Sequence, residues 1–288
     1  FLYCQMGDMF VRYFMWNFVG RQDDIQLTTD AQNGIYLHGG WLSGIDFVDK
    51  YFTGPTDNIP SEQRNNPSRN TYFFLPLLLG LLGIIYQMSS DWRNFIIVAL
   101  LYVMMGIALV VYFNTAPGEP RERDYVYAGA FYAFSIWLGL GVMAIGDLLT
   151  SLFARLSKQG NRATLTAAIV AVLMSVSVPV VLASENWDDH NRSGRYTARD
   201  LAYNYLQTLD SNAVIVTHGD NDTFPLWYIQ EVEGVRTDVR IMNTSLLGTD
   251  WYIDQMQWKT YESDPVKFSI PRKQYLYGTN DFVQVYDR

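Results

Sequence analysis

Three strings in this chain combine residue types that can hold or polarise a ligand. The first is His218-Gly219-Asp220-Asn221-Asp222-Thr223-Phe224-Pro225. Its carboxylates, Asp220 and Asp222, suit a divalent cation, which takes oxygen ligands, or hydrogen bonds from sugar hydroxyls. Equally, Asp222 or Thr223 can cap a following helix while Asp220 sits in a tight turn, and capping by one leaves the other open to a ligand. The second string is Pro117-Gly118-Glu119-Pro120-Arg121-Glu122-Arg123-Asp124-Tyr125. Two prolines and a glycine fix its path, so it reads as a shaped turn. Either its charges neutralise one another in water, or the acids orient Arg121 and Arg123 towards a phosphate. The third is the aromatic run Phe10-Val11-Arg12-Tyr13-Phe14-Met15-Trp16-Asn17-Phe18, followed by Gly20-Arg21-Gln22-Asp23-Asp24. Arg12, Asn17 and Arg21 suit a lipid phosphate, which guanidinium grips with two parallel bonds. The plainer reading has these polar groups facing water.

Other chemistries find little support. The lone cysteine, Cys4, cannot form an intrachain disulfide, and His38, His190 and His218 are too scattered for a histidine metal site. A net charge of -8 with no dominant basic patch argues against nucleic acid as a partner. Residues 184–288 contain neither a P-loop nor a dinucleotide fingerprint. The 20 Tyr and 8 Trp suit both a membrane–water interface and sugar stacking, so the count does not choose between them.

The elements that must position these strings fall into three zones: 1–71, 72–183 and 184–288. The middle zone is mostly apolar and the flanks are polar and acidic, which the mean hydropathy of -0.02 conceals. A helix needs about 20 apolar residues to cross the hydrocarbon core. Stretches 72–88, 94–113, 125–149 and 163–183 qualify, giving an expectation of four spans. Gly80, Gly83, Gly106, Gly129, Gly139 and Gly141 allow close helix packing. Arg155, Lys158 and Arg162, with no acid beside them, place the loop between the third and fourth spans in the cytoplasm. Alternation then sets 1–71, the loop around Arg121 and 184–288 together outside, where they can build one shared surface. The aromatic run reads as an interfacial helix or as the outer end of a truncated span.

Beyond residue 184 the pattern is that of a soluble α/β domain. Residues 197–209 read as an amphipathic helix, 213–217 as a buried strand, 226–233 as a helix after the aspartate-rich loop, 239–243 as a second strand and 250–258 as a further helix. Strand, helix, strand is a βαβ unit, and ligands gather beyond the carboxyl ends of such strands. The expected architecture is thus an α-helical membrane bundle followed by an extracytoplasmic, incomplete α/β domain. The chain begins at Phe1 without a signal-peptide layout and stops at Arg288 without a closing element, so it reads as part of a longer protein.

The strings Arg12-Tyr13-Phe14-Met15-Trp16-Asn17-Phe18 with Gly20-Arg21-Gln22, Pro120-Arg121-Glu122-Arg123-Asp124-Tyr125, Gly219-Asp220-Asn221-Asp222-Thr223-Phe224-Pro225-Leu226-Trp227-Tyr228, Leu246-Leu247 and Thr249-Asp250-Trp251-Tyr252 occur in that order. Together they resemble a multi-span family abundant in Bacteroidetes and long catalogued as a domain of unknown function. That family is similar to a eukaryotic protein O-mannosyltransferase and is grouped with the GT-C glycosyltransferases. The resemblance implies an enzyme of the inner (cytoplasmic) membrane that moves a sugar from a polyprenyl-phosphate carrier to an acceptor, such as a protein hydroxyl, on the outer side. It implies a lipid-linked sugar as donor substrate and membrane lipid as partner. GT-C enzymes generally carry an acidic catalytic residue in the first external loop, and the chain reads as beginning after that loop, so no catalytic residue is transferred. Arg121 and Arg123, then Arg12 and Arg21, are the candidates for stabilising the departing phosphate. Asp220, Asn221 and Asp222, with Asp250 and Trp251, are candidates for the substrate site. The competing expectation is a non-enzymatic scaffold whose external domain docks envelope or secretion machinery. A transporter is disfavoured, because the spans are almost free of ionisable groups.

Overall fold

Leucine dominates the first apolar stretch, and in the computed structural model it forms a helix that starts later than its hydropathy suggests. The structure describes residues 2–30, 32–55, 59–115, 121–156 and 160–279. Pro117, Gly118, Glu119 and Pro120 of the shaped turn and Lys158 of the basic loop therefore lie outside the described residues. The chain divides into two compact units, Phe1–Asn191 and Arg192–Arg288.

The first unit opens with a π-helical stretch, Leu2–Val11, that runs into α1 (Arg12–Phe18). Short polar elements follow: β1 (Gly20–Arg21), β2 (Thr28–Asp30), β3 (Ile35–His38), α2 (Asp46–Phe52), α3 (Ser61–Arg64) and β4 (Asn70–Thr71). β2 and β3 form a hairpin, and β1 pairs antiparallel with β4. The apolar helices are α4 (Leu75–Ser90), α5 (Trp92–Met105), α6 (Ile107–Phe113), α7 (Ala128–Leu156) and α8 (Gly160–His190).

Three helical segments are long and apolar enough to cross a membrane: Trp92–Phe113, Asp124–Ala154 and Thr164–His190. The expectation of four is thereby corrected. α4 has 16 residues, which at 1.5 Å per residue is about 24 Å against a hydrocarbon core of about 30 Å. Its missing turn has a local cause. Thr71 pairs with Gly20, and the Tyr72 N–H donates to the Val19 carbonyl at 2.9 Å. Phe73 and Phe74 then take left-handed conformations, φ 52° and 59°, before Pro76 settles into the first helical turn. Residues that hydropathy alone assigns to the helix are thus held by the small β1–β4 ladder.

α7 lies at the centre and packs against α4, α5 and α8. α4 and α7 touch backbone to backbone: a Cβ on Gly83 would overlap the Trp137 carbonyl, and one on Gly141 would overlap the Leu79 carbonyl. Gly139 differs, because a Cβ there would meet nothing within 4 Å. The aromatic run of α1 packs inside the protein, with Tyr13, Trp16 and Phe18 buried in one cluster with Val110, Phe131, Phe134 and Trp137. Burying these rings on the bundle fixes the polar segments that follow them.

The second unit contains α9 (Thr197–Gln207), β5 (Val214–Thr217), α10 (Asp220–Glu231), β6 (Arg240–Asn243) and α11 (Asp250–Met256). β5 and β6 are parallel, with Val214 opposite Arg240 and Thr217 opposite Asn243. The βαβ unit is present, but its two strands are the only sheet among the described residues of this unit. The region is mostly helical rather than a clear α/β domain, which corrects that expectation. Ala202, Leu206, Leu226, Ile229, Val239 and Ile241 form its core.

Arg236 ties this core together. With φ at 53°, it reaches back to the carbonyls of Leu206, Leu209 and Asp210 at the end of α9. It also pairs with Asp238 at 2.9 Å, whose carboxyl the guanidinium holds down at about 2. Carbonyls at a helix end lack partners of their own. Arg236→Ala is expected to lower the melting temperature of this unit by several degrees and to speed amide hydrogen exchange in the last turn of α9. Unchanged exchange there would remove the capping role.

Candidate functional site

At one end of the first unit, the segment before α4, the residues before α7 and the last turns of α8 come together. Glu122 is the hub. It accepts from Arg12 Nη2 at 2.8 Å, from the Tyr13 hydroxyl and from the Leu27 N–H at 3.2 Å. Arg12 is 1% exposed, and its other nitrogens donate to the Asp8 carbonyl at 2.9 Å and the Gly39 carbonyl at 2.7 Å. Its guanidinium also lies 4.6 Å from the ring centres of Tyr13 and Trp16. Burial works to raise the Glu122 carboxyl, but Arg12, Tyr13 and the Leu27 N–H overcome it and hold Glu122 below the usual carboxylate range. Burial raises the Tyr13 phenol, with its bond to Glu122 adding to the effect. Asp8 is raised as well, by burial that Arg12 only partly offsets.

Beside this hub lies a polar cavity of about 460 Å³, within the usual range for ligand sites. Trp16, Asn17, Arg21, Asn70, Tyr72, Asp124, Asn186, Asp189 and His190 are among its walls. Arg21 stacks 4.0 Å from the Trp16 ring centre and donates through Nε to the Asp23 carbonyl at 2.9 Å. Its two terminal nitrogens have no protein partner among the described residues. A guanidinium anchored by one nitrogen, with a free fork, is arranged to take an anion. The opposite wall is α8, where the Tyr72 hydroxyl donates to Asn186 Oδ1 at 2.9 Å and His190 Nδ1 meets Asp189 at 2.6 Å. Leu182, Asn186 and His190 are spaced four apart, so a single helix face passes from apolar to polar.

Leu182 belongs to a second space as well, an apolar groove of about 340 Å³ between α4, α7 and α8. Leu79, Leu138, Gly139, Val142, Val172 and Pro179 line it. Ser175 is also among its lining residues, and its hydroxyl is buried with no hydrogen-bond partner among the described residues. Pro179, four residues on, has no N–H to offer the Ser175 carbonyl.

The sequence candidates are distributed as follows. Arg12 is tied into the hub and Arg21 faces the polar cavity. Arg121 and Arg123 line a separate space of about 80 Å³ together with Asp8, Arg12 and Glu122. The Arg121 guanidinium lies 5.6 Å from the Tyr125 ring centre. In the second unit, Asp220, Asn221 and Asp222 form the first turn of α10 and are exposed. This helix begins six residues earlier than its apolar pattern indicates. Gly219, at φ 76°, turns the chain, and buried Thr223 fixes the turn by donating to the Gly219 carbonyl at 2.6 Å. Asp250 and Trp251 open α11, and Trp251 lines a different cavity from Asp222. Among the described residues, no three His, Cys, Asp or Glu side chains converge to hold a metal ion.

Sequence reasoning did not single out Asn186, Tyr72 or Leu182. The signal was there: Glu185-Asn186-Trp187-Asp188-Asp189-His190 continues the helical spacing of the last apolar stretch past its hydropathy limit. No curated protein and no solved structure matches the chain. Residues 198–288 match a family model described as TMEM260-associated domain 2, so the C-terminal part of this membrane-helix protein is similar to that domain.

Proposed function

We propose that the chain is part of a GT-C-like membrane glycosyltransferase that moves a sugar from a polyprenyl-phosphate carrier to an acceptor hydroxyl, such as one on a protein. The observation that carries this reading is the meeting of the polar cavity and the apolar groove at Leu182. A lipid-linked sugar has the same division, an isoprenoid chain suited to the groove and a sugar phosphate suited to the cavity. Arg21 is the first residue for the phosphate, because its terminal nitrogens are open to the cavity; Arg121 and Arg123, which line the separate smaller space around Glu122, are the second candidates. Arg12 acts through Glu122 rather than by contact.

In the reaction, a carboxylate takes the proton of the acceptor hydroxyl as its oxygen bonds to the anomeric carbon. The bond from that carbon to the phosphate oxygen breaks, and the electron pair leaves on the phosphate. Guanidinium beside that oxygen stabilises the charge as it forms. No residue of this chain is assigned as the base. The basic residues Arg155, Lys158 and Arg162 favour the cytoplasmic side for the α7–α8 loop, which sets the cavity on the outer face.

The test is transfer from a radiolabelled polyprenyl-phosphate sugar by the full-length protein in lipid nanodiscs. Arg21→Ala is expected to lower turnover roughly 10- to 100-fold, the size of one lost charge-assisted hydrogen bond. Arg21→Lys should recover only part of this, because an ammonium lacks the fork. Full turnover in Arg21→Ala would remove the phosphate assignment. A scaffold is the second reading, favoured by the exposed rings of Trp251, Trp258 and Tyr261 on the second unit. It predicts a stable protein complex and no transfer at all.

A further inference from the structure

Within the second unit, a cleft of about 490 Å³ opens where β5, α9 and α10 meet. It includes the carboxyl end of the parallel β5–β6 ladder, the place where such units generally collect ligands. Apolar Ile215, Val216 and Leu226 line it together with Tyr205, His218 and Asp222.

The tautomer of the neutral His218 ring follows from its neighbours. Thr244 Oγ1 lies 3.0 Å from the Thr217 carbonyl, which can only accept, so the single hydroxyl hydrogen belongs there. Thr244 Oγ1 also lies 2.7 Å from His218 Nδ1. With its hydrogen already committed, the hydroxyl accepts this second bond, and neutral His218 must carry its proton on Nδ1. His218 Nε2 is then a bare acceptor. Asp222, a second acceptor, has no bond from any described residue. Beneath them, side-chain hydrogen bonds tie the ends of β5 and β6 to α10. Thr217 and Thr223 hydroxyls meet at 2.7 Å, and Asn243 Nδ2 donates to Thr223 Oγ1 at 2.7 Å.

We infer that this cleft is a carbohydrate-binding site, in which His218 Nε2 and the Asp222 carboxylate accept sugar hydroxyls and the Tyr205 ring covers the sugar's C–H face. Two acceptors beside apolar side chains suit a ligand with several donors and an apolar side, and a pyranose has both. An anion is opposed by Asp222. An ammonium would lose water against Ile215, Val216 and Leu226 and find two acceptors, His218 Nε2 and Asp222, for its three N–H groups, which leaves one unpaired at a cost. The inference is independent of the lipid-phosphate reading, since it concerns only the second unit.

The experiment is saturation-transfer NMR on the full chain in nanodiscs, with methyl α-mannopyranoside, methyl β-glucopyranoside and N-acetylglucosamine as probes. At least one should give a transfer signal. His218→Phe, which keeps a ring and removes the acceptor, and Asp222→Ala should each raise its dissociation constant about tenfold. Both positions are exposed, so neither substitution should disturb folding, and unchanged thermal melting checks this. Arg21→Ala, in the other cavity, should leave the signal intact. The inference fails if no glycoside binds, if the signal survives both His218→Phe and Asp222→Ala, if Arg21→Ala alone abolishes it, or if Nα-acetyl-lysine amide occupies the cleft in place of the sugars.

Discussion

Gly83→Leu is expected to prevent the bundle from closing, giving protein that aggregates on extraction into detergent or melts far below the parent. Any Cβ at this position overlaps the Trp137 carbonyl, a backbone atom that cannot rotate aside. The neighbouring contacts offer no relief, because Gly141 lies against the Leu79 carbonyl. The helices must therefore separate along their common seam, releasing the contacts of Leu79, Phe134 and Trp137 together. Overpacking a side-chain core costs about 1–3 kcal/mol, and a backbone collision should exceed that range. Gly139→Leu is the matched control. It stands two residues from Gly141 on the same helix but faces open space, so folding should be preserved. Because Gly139 lines the apolar groove, that variant should fill the groove and raise the KM for a lipid-linked donor with little change in melting. Equal stability of the two variants would show that α4 and α7 do not pack as described.

These glycines illustrate what the sequence could and could not convey. Hydropathy located the apolar stretches, because burial in lipid and burial in protein both demand apolar residues over a helix length. It could not separate Gly83 from Gly139, since close approach depends on which face meets a neighbour. Hydropathy also misplaced the start of α4, where hydrogen bonds from the distant Val19–Gly20 region hold Tyr72 in an extended path. The arginines were legible as chemistry but not as roles. Arg12 and Arg21 are nine residues apart and chemically identical. Only the position of Glu122, over a hundred residues on, makes one a buried tie and leaves the other with a free fork. In the second unit, the βαβ order was legible from strand and helix periodicity. The early start of α10 was not, because Thr223 draws it back through side-chain bonds to Thr217 and Gly219 that no local pattern encodes.

Glu122→Ala should destabilise the first unit by about 3–5 kcal/mol, the typical cost of removing one partner from a buried ion pair. The reason is the state of Arg12, which is 1% exposed and would retain its charge among carbonyls and aromatic faces, with only the Asp8 carboxyl, itself raised by burial, to offset it. Glu122→Gln keeps an acceptor for Tyr13 and should cost less. Arg12→Met combined with Glu122→Leu should cost less than Glu122→Ala alone, since it leaves no orphaned charge. A double variant worse than the single would show that the charges themselves, rather than their pairing, hold the segment. The pH dependence is a separate check on the same contact. Glu122 titrates lower in the folded protein than in the unfolded chain, so its contribution is complete above the unfolded value of about 4.3 and is lost as pH falls through the lower folded value. Asp8 works in the opposite sense: its raised carboxyl takes up a proton earlier in the folded protein, and that uptake favours folding as the pH falls. Melting measured from pH 7 downward should therefore show the Asp8 gain before the Glu122 loss, with Asp8→Asn removing the first and Glu122→Gln the second. Parent and Glu122→Gln curves that fall together below pH 4 would place the acid-sensitive contact elsewhere. If they diverge as described, the carboxylate that binds α1 to the residues preceding α7 also sets the acid limit of the surface on which Arg21 and its cavity stand.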